Sequence, residues 1–504
     1  MYLKNSNNYL DQIEANNVEF SKSLIRSRQK NKGQYITPNT ISDYMASRYV
    51  TRLTNNGSKI NILDPGAGTG VLGISAVIKI FEKCPNIKIN LVAYEIDVKA
   101  IYVLKKNLTL LDRWTEENNY QFEYKIRQRD YILEEKSIME NNIGKYENYY
   151  DFIISNPPYK KIKKNDPYVD AIPFIVYGAP NKYSFFLTKS IIELKPNALM
   201  IYLIPRSWMS GNYFKLLRKF IFNCGSIVEL HSFDNRNNQF GNTMVLQELV
   251  ILVFKKGYSK KITYYNHDNI EKLNNSSSLS LDQKSIKLDD EYQIYTLTNK
   301  EQLDIINHFK YFNTRFKDLG LKMHTGTTVK FRNIEYLYDS SSKFNVPLFC
   351  RDNFQDHKVV LNDKNKQYIS LLSHTLQKNE DYIFVKRFST KEEKRRINVA
   401  YYRSNLFNEY NLISTDNKIN FVSCENKDIL KGAFLVLAST QFDKYYRALN
   451  GNTQVNSTEI NNMYFLNDKI LEELSSIYDI DEILNFKQSK IDMLINNIFN
   501  KIRR

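Results

Sequence analysis

The chain has 504 residues, too many for one ordinary core, so two or three domains are expected. Its formal net charge of +16 favours a polyanionic partner, nucleic acid before an acidic membrane surface. Four dispersed cysteines (Cys84, Cys224, Cys350, Cys424) and six dispersed histidines show no zinc spacing and no disulfide framework, so no metal is expected and a reducing cytosol is. The start, MYLKNSNNYLDQIEANN, lacks the apolar segment of a signal peptide, and no run of eighteen apolar residues occurs, so neither a secretory signal nor a spanning helix is expected.

In chain order, residues 1–32 read as a polar, partly helical lead. Lys32-Gly33-Gln34-Tyr35-Ile36-Thr37-Pro38 is a Gly-to-Pro loop before a helix starting near Asn39. From Lys59 to about Phe254, short apolar runs alternate with longer helical stretches. Ile60–Leu63, Ile89–Tyr94, Phe152–Ile154 and Leu199–Ile204 have the length and flanks of strands buried on both faces. Helical spacing between them implies right-handed crossovers and a doubly wound α/β sheet. Ser226–Leu230 and Val245–Phe254 lie too close for a helix between them, which predicts an antiparallel pair closing the sheet. Residues 255–300, with their Asn/Ser-rich run, read as a domain junction. Beyond it a mixed α/β domain extends to about residue 465, and Leu471–Arg504 has helical spacing. The predicted divisions are 1–32, 33–258, 259–465 and 466–504.

Asp64-Pro65-Gly66-Ala67-Gly68-Thr69-Gly70 follows a predicted strand and opens a helix. Its glycines allow a tight turn and close approach to a ligand, a feature shared with nicotinamide and flavin sites. Three details separate it from those. Asp64 at the strand end repels a pyrophosphate but can pair with an ammonium group. Glu95, in Tyr94-Glu95-Ile96-Asp97, can accept from both ribose hydroxyls while Ile96 covers an adenine face. In Arg129-Asp130-Tyr131, Asp130 can accept from an adenine amino group. Ammonium, ribose and adenine together describe S-adenosylmethionine. The candidate cofactor residues are Tyr35, Thr37, Asp64, Gly66, Gly68, Glu95, Ile96, Asp130, Tyr131 and Asn156, with Tyr35 and Thr37 over the methionine end.

Asp151-Phe152-Ile153-Ile154-Ser155-Asn156-Pro157-Pro158-Tyr159 is the most informative stretch. It brings Asn156 to the carboxyl end of a strand, where open α/β sheets bind ligands. Two prolines stiffen the turn and remove two N–H donors. What remains is an acceptor-rich corner, the Asn156 side-chain carbonyl and the Pro157 backbone carbonyl. Two acceptors can hold both N–H bonds of an exocyclic amine and free its lone pair for in-line attack on a methyl group. Positioning and fixed dipoles then carry most of the catalysis.

In the order GQYITP, DPGAGTG, YEID, RDY, ISNPPY, the chain resembles the gamma-class N6-adenine DNA methyltransferases of restriction-modification systems over residues 30–255. The resemblance implies a Rossmann-like methyltransferase sheet, a C-terminal target-recognition domain, a cytoplasmic, nucleoid-associated enzyme and a cognate restriction endonuclease. It also implies that the target adenine rotates out of duplex DNA and stacks on aromatic rings. Rotation follows from reach too, since N6 is inaccessible inside the stack. On this resemblance Tyr159 is one stacking residue and Phe240 the second, with Phe233 as the fallback. Asn156, Pro157 and Tyr159 are the expected catalytic residues.

Lys160, Lys161 and Lys163, directly after the corner, are the expected phosphate contacts. In the C-terminal half, His324–Arg332, Lys386-Arg387-Phe388, Lys394-Arg395-Arg396 and Tyr401-Tyr402-Arg403 interleave cations with aromatics, and Asn450–Thr458 offers amides and hydroxyls to base edges. The same corner suits cytosine N4, RNA or a protein glutamine amide, and a non-catalytic DNA-binding relative is a further alternative. The long basic extension and the upstream GQYITP loop favour DNA adenine.

Overall fold

The computed structural model describes residues 6–23, 37–53, 59–134, 148–178, 181–233, 249–267, 273, 276–285, 292–362, 366–389, 393–449 and 454–502. Two compact units, Met1–Thr298 and Asn299–Arg504, divide the chain.

The first unit is built on a nine-stranded sheet. Its strands are β1 (Lys59–Pro65), β2 (Lys88–Tyr94), β3 (Gln121–Arg127), β4 (Tyr150–Ser155), β5 (Leu194–Pro205), β6 (Ser226–Phe233), β7 (Leu249–Lys255), β8 (Lys261–His267) and β9 (Ser277–Asp282). They lie in the order β3-β2-β1-β4-β5-β7-β6-β8-β9. The first five are parallel neighbours, with Ile62 opposite both Leu91 and Phe152. β7 enters antiparallel between β5 and β6, with Ile201 opposite Val253 and Leu230 opposite Leu252. This is the doubly wound sheet with an antiparallel closing strand that the periodicity predicts. Strand order reverses between β1 and β4, which opens a crevice at their carboxyl ends.

Seven helices accompany the sheet among the described residues: α1 (Ser6–Ser23), α2 (Asn39–Val50), α3 (Val71–Lys83), α4 (Val98–Glu117), α5 (Pro167–Ala171), α6 (Lys182–Glu193) and α7 (Lys215–Cys224). The lead helix α1 is fastened to α4. Buried Asn107 of α4 accepts from Asn16 Nδ2 at 2.8 Å and donates to Asn17 Oδ1 at 3.1 Å.

The sheet runs past the expected boundary at residue 258. β8 pairs parallel with β6, and β9 pairs antiparallel with β8. The Ser-rich stretch read as a junction therefore contributes an edge strand. Ser277-Ser278-Leu279-Ser280-Leu281 alternates along an exposed edge, where one apolar residue in two suffices.

Under α2, a buried polar cluster crosses onto β6 and β8. Arg48 holds Glu229 with two hydrogen bonds, 2.8 and 2.6 Å, and Arg52 adds a third. His231 Nε2 lies 3.0 Å from Glu229 and His231 Nδ1 lies 3.1 Å from the Tyr44 hydroxyl. Burial alone would raise the Glu229 pKa, but the hydrogen bonds from His231 and Arg48 hold the carboxyl well below the usual range.

The second unit is mixed α/β. A six-stranded sheet centres on Tyr382–Lys386, Val399–Tyr402 and Ile419–Ser423, and a five-stranded one on Asn345–Phe349 and Leu412–Thr415. Aromatic and aliphatic side chains, among them Phe349, Tyr382, Phe384, Tyr402 and Ile413, form a core. The chain ends in helices Asp468–Ile477, Ile480–Ile483 and Gln488–Ile502, as the spacing predicts. Several segments proposed to touch a nucleic acid are interior instead. Tyr401 and Tyr402 are buried, and so is Arg396. The Arg396 amide donates to Asp443 at 2.7 Å, and Arg395 NH2 donates to the Ser439 carbonyl at 3.0 Å. Cation–aromatic interleaving is also what a packed β-strand with internal ion pairs produces. Of the polar run at 450–458, residues 450–453 lie outside the described residues; Asn456 caps the helix Ser457–Asn462 and Gln454 accepts from Arg387 at 3.2 Å. Phe331 and Phe388 do reach solvent. No helix among the described residues is long and apolar enough to cross a membrane.

The Glu229 cluster yields a stability test. Removing one member of a buried ion-pair network leaves its partners uncompensated. Glu229→Ala is expected to cost about 3 kcal/mol, read as a lowered urea midpoint, whereas a midpoint unchanged from wild type would mean that the cluster holds nothing together.

Candidate active site

A cavity of 340 Å³ opens at the carboxyl ends of β1, β2 and β4, a size suited to a small-molecule site. Its floor is the loop between β1 and α3. The Gly66 and Ala67 amides both donate to the Tyr94 carbonyl, at 3.0 and 2.7 Å, which ties the loop to the end of β2. Gly70 takes φ +89°, and a Cβ there would lie 2.6 Å from Leu104, so this turn into α3 needs glycine. Gly68 takes φ +58°, and a Cβ there would meet no atom within 4 Å, so the loop presents bare backbone to open space.

Glu95 is buried at the wall with both carboxylate oxygens held. Oε2 accepts from the Gly68 amide at 2.8 Å, and Oε1 accepts from the Ile96 and Asp97 amides at 2.8 Å each. Burial pushes its pKa up, and the three amides pull against that rise. Ile96 beside it is 56% exposed, an apolar side chain open on the cavity rim. Asp130 Oδ1 accepts from the Ile132 and Leu133 amides, at 2.9 and 3.2 Å, while Oδ2 accepts from the Tyr168 hydroxyl. Tyr131 lines the cavity too, and its hydroxyl donates to Glu193 at 2.6 Å.

Asn156 stands across the cavity at the end of β4. Its Nδ2 donates to Thr37 Oγ1 at 2.9 Å, joining the corner to the entry of α2. The neighbouring Ser155 hydroxyl donates to the Pro65 carbonyl at 2.7 Å, which locks the ends of β4 and β1 together.

The structure thus brings Thr37, Gly66, Gly68, Glu95, Ile96, Asp130, Tyr131, Asn156 and Lys160 to one cavity. Other predicted residues stand elsewhere. Asp64 lies beneath the loop, off the wall; its Oδ2 accepts from the Gly73 amide at 3.0 Å and its Oδ1 has no hydrogen bond. Pro157 is buried behind the wall, and Pro158 lines it instead. Tyr159 is also off the wall, with its ring only 8% exposed. Its hydroxyl donates toward Asn156 Oδ1 and toward the Leu203 carbonyl at 3.0 Å. Lys161 and Lys163 are exposed beyond the rim, and Lys161 bridges to Asn181. Phe233 is a core aromatic stacked on His267 at 5.4 Å. Tyr35 and Phe240 lie outside the described residues.

Sequence reasoning missed several wall residues, among them Phe20, Tyr168 and Lys182. Phe20 comes from α1, whose attachment to α4 no local pattern announces. Tyr168 follows Asp166-Pro167, a helix-entry signal that the reading passed over. Lys182 sits 3.5 Å from the Tyr168 hydroxyl and 4.5 Å from the ring centroid.

The chain is similar to the family described as Eco57I restriction-modification methylase, whose model matches residues 87–240. It is 29% identical to the Type II methyltransferase M.PstI of Providencia stuartii, over 92% of each chain. It is also 29% identical to the Type II methyltransferase M.BsuBI of Bacillus subtilis, over 95% of this chain and 97% of the relative. Among solved structures, the Type IIL restriction-modification enzyme MmeI in complex with DNA aligns with a TM-score of 0.57. That alignment covers 98% of this chain and 74% of the other at 13% identity, a likeness of fold.

Asp64 gives this site a pH signature. Burial pushes its pKa up to about 7, with the Gly73 amide opposing and the nearby Glu95 charge adding to the rise. The folded protein therefore keeps a proton that an unfolded chain releases near pH 4. The group's contribution to stability is present below that pH and is lost as pH rises through about 7. Asp64→Asn is expected to flatten the fall in urea midpoint between about pH 4 and pH 7 relative to wild type; identical slopes would contradict the shift. In motif order and in fold the chain is similar to restriction-modification methyltransferases.

Proposed function

We propose that the chain transfers a methyl group from S-adenosylmethionine to the N6 amino group of adenine rotated out of duplex DNA, as the modification enzyme of a restriction-modification system. The observation that carries this reading is the Asn156 corner, held by Thr37 and facing a cavity with a buried carboxylate on its far wall.

The residues present fit the donor. Glu95 suits ribose hydroxyls, Ile96 an adenine face and Asp130 the adenine amino group, while Gly66 and Gly68 leave room for close approach. Thr37 and its neighbour Tyr35 belong to the loop expected over the methionine end. Asp64, buried beneath the loop, braces it from behind by accepting from the Gly73 amide. S-adenosylmethionine, when bound, supplies an electrophilic methyl group on sulfonium.

The protein's own part is orientation. Asn156 Oδ1 and the Pro157 carbonyl accept the two N–H bonds of the target amine and direct its lone pair toward the donor side. Tyr159's hydroxyl, now shared between Asn156 and Leu203, keeps the Leu203 carbonyl and yields Asn156 Oδ1 to the incoming amine. Stacking of the Tyr159 ring on the base, which the family resemblance implies, requires a larger movement, because that ring is buried and off the cavity wall. No strong base is required, because the amine sheds its proton after transfer. Lys160, Lys161 and Lys163 meet the phosphates beside the rotated base. The second unit, which makes up the rest of the chain, selects the site.

Purified protein is expected to transfer radiolabelled methyl groups to duplex DNA and yield N6-methyladenine on digestion. Label only on cytosine, RNA or protein would overturn the reading. Asn156→Ala is expected to lower turnover by about 10²- to 10³-fold while donor affinity stays within a few-fold. Unchanged turnover would remove Asn156 from the reaction.

A further inference from the structure

Outside the cavity, one surface of the first unit combines exposed rings with an excess of cations. Phe174, Tyr177 and Tyr213 are 50%, 41% and 52% exposed. They are held rather than dangling. Phe174 packs on Phe220 of α7 with centroids 5.4 Å apart. Lys215, at the start of α7, places its ammonium 3.7 Å from the Tyr177 ring centroid. Gly178 has φ +85°, and a Cβ there would lie 2.2 Å from the Tyr213 ring, so an edge of this half-exposed ring packs against bare backbone. Rings of this size are normally buried, and several together on a surface mark an interaction site.

The surface is coupled to the catalytic corner. The Lys182 amide donates to the Lys160 carbonyl at 2.9 Å, and Lys161 bridges to Asn181, so the loop after Tyr159 is fastened to α6. From α6, Tyr183 stacks on Phe214 at 5.6 Å, directly after Tyr213. The local charge is strongly positive. Residues 150–225 contain eleven Lys and Arg against four Asp and Glu. Two of those acids are already engaged, Asp151 with Lys195 and Glu193 with Lys189.

We infer that this patch, formed by Phe174, Tyr177, Tyr213, Lys215 and the exposed Lys219 one turn further along α7, is a second DNA contact that grips the strand flanking the rotated base. Lysines that neutralise phosphates beside rings that cover sugars or unstacked bases are the combination a nucleic-acid strand requires. A second copy of the chain is the poorer occupant, because two equally basic faces would repel. The inference rests on DNA being the substrate.

The test uses the full chain, a fluorescent random-sequence duplex and the matching single strand. Lys215→Glu/Lys219→Glu is expected to weaken duplex binding at least tenfold near 0.1 M salt and to lower the salt slope by about 2. Phe174→Ala/Tyr213→Ala is expected to weaken single-strand binding by about 5- to 100-fold. S-adenosylmethionine binding and the thermal midpoint should hold in the charge variant, which keeps the test valid if the aromatic variant misfolds. Wild-type affinity and salt slope in the charge variant would overturn the patch, as would a dimer that the substitutions dissociate without altering DNA binding. Binding is read apart from methyl transfer. A protein that binds DNA through these residues and transfers nothing supports the patch and defeats the adenine reading; one that methylates DNA and loses no affinity on substitution defeats the patch alone.

Discussion

One hydrogen bond joins the two halves of the cavity, Asn156 Nδ2 to Thr37 Oγ1 at 2.9 Å. It fixes which way the amide faces. With the donor end engaged by Thr37, the acceptor end turns toward Tyr159. The bond can form only because two rigid bodies meet there. Asn156 is held by β4, pinned to β1 through Ser155, and Thr37 stands at the entry of α2. The Arg48–Glu229–His231 cluster anchors α2 to β6. A buried ion-pair cluster on the far strands thus bears on the angle of one amide at the carboxyl end of β4, as packing behind any precisely placed side chain does.

The cavity has a second constraint. Asp64 and Glu95 are both buried at strand ends, where burial makes each costly to ionise and the Glu95 charge adds to the cost at Asp64. Backbone amides offset this through Gly73 for Asp64 and through Gly68, Ile96 and Asp97 for Glu95. The glycine loop therefore does more than clear space. Its Gly68 amide is one of the three fixed dipoles that let a carboxylate remain at the cavity wall, and Glu95 in turn holds the loop at that point. Loop and acid form one unit, so each constrains substitution of the other.

Much of this was legible in the sequence because parallel strands buried on both faces leave uninterrupted apolar runs. Ile60–Leu63 and Phe152–Ile154 mark β1 and β4, and the residues just after them are those at the crevice. What escaped depends on tertiary contact. Phe20 reaches the cavity only because Asn16 and Asn17 clasp Asn107 of α4. Tyr168 lies 38 residues from Asp130 in the chain, and no local pattern announces that its hydroxyl donates to that carboxylate. β9 is edge-exposed, and its serine alternation looks like a linker. Asp64 illustrates the opposite error. A strand-terminal acid was assigned to ligand contact, yet the close approach of Gly73 turns it inward to hold the loop.

The charge distribution follows a similar lesson. Residues 1–298 carry forty Lys and Arg against thirty acids, and residues 299–504 carry thirty-one against twenty-five. The excess is thus greater in the unit that holds the cavity. In the second unit, several cations are spent internally, as with Arg395 on Ser439 and Arg447 on Asp443. A domain that discriminates among sequences needs fixed donors and acceptors more than net charge, since phosphate attraction is blind to base identity. The first unit, on the proposed function, has the contrary need: it must keep hold of a backbone while a base leaves the stack. On the proposed function, a modest charge where sites are chosen and a concentrated one beside Asn156 is the division that base rotation favours.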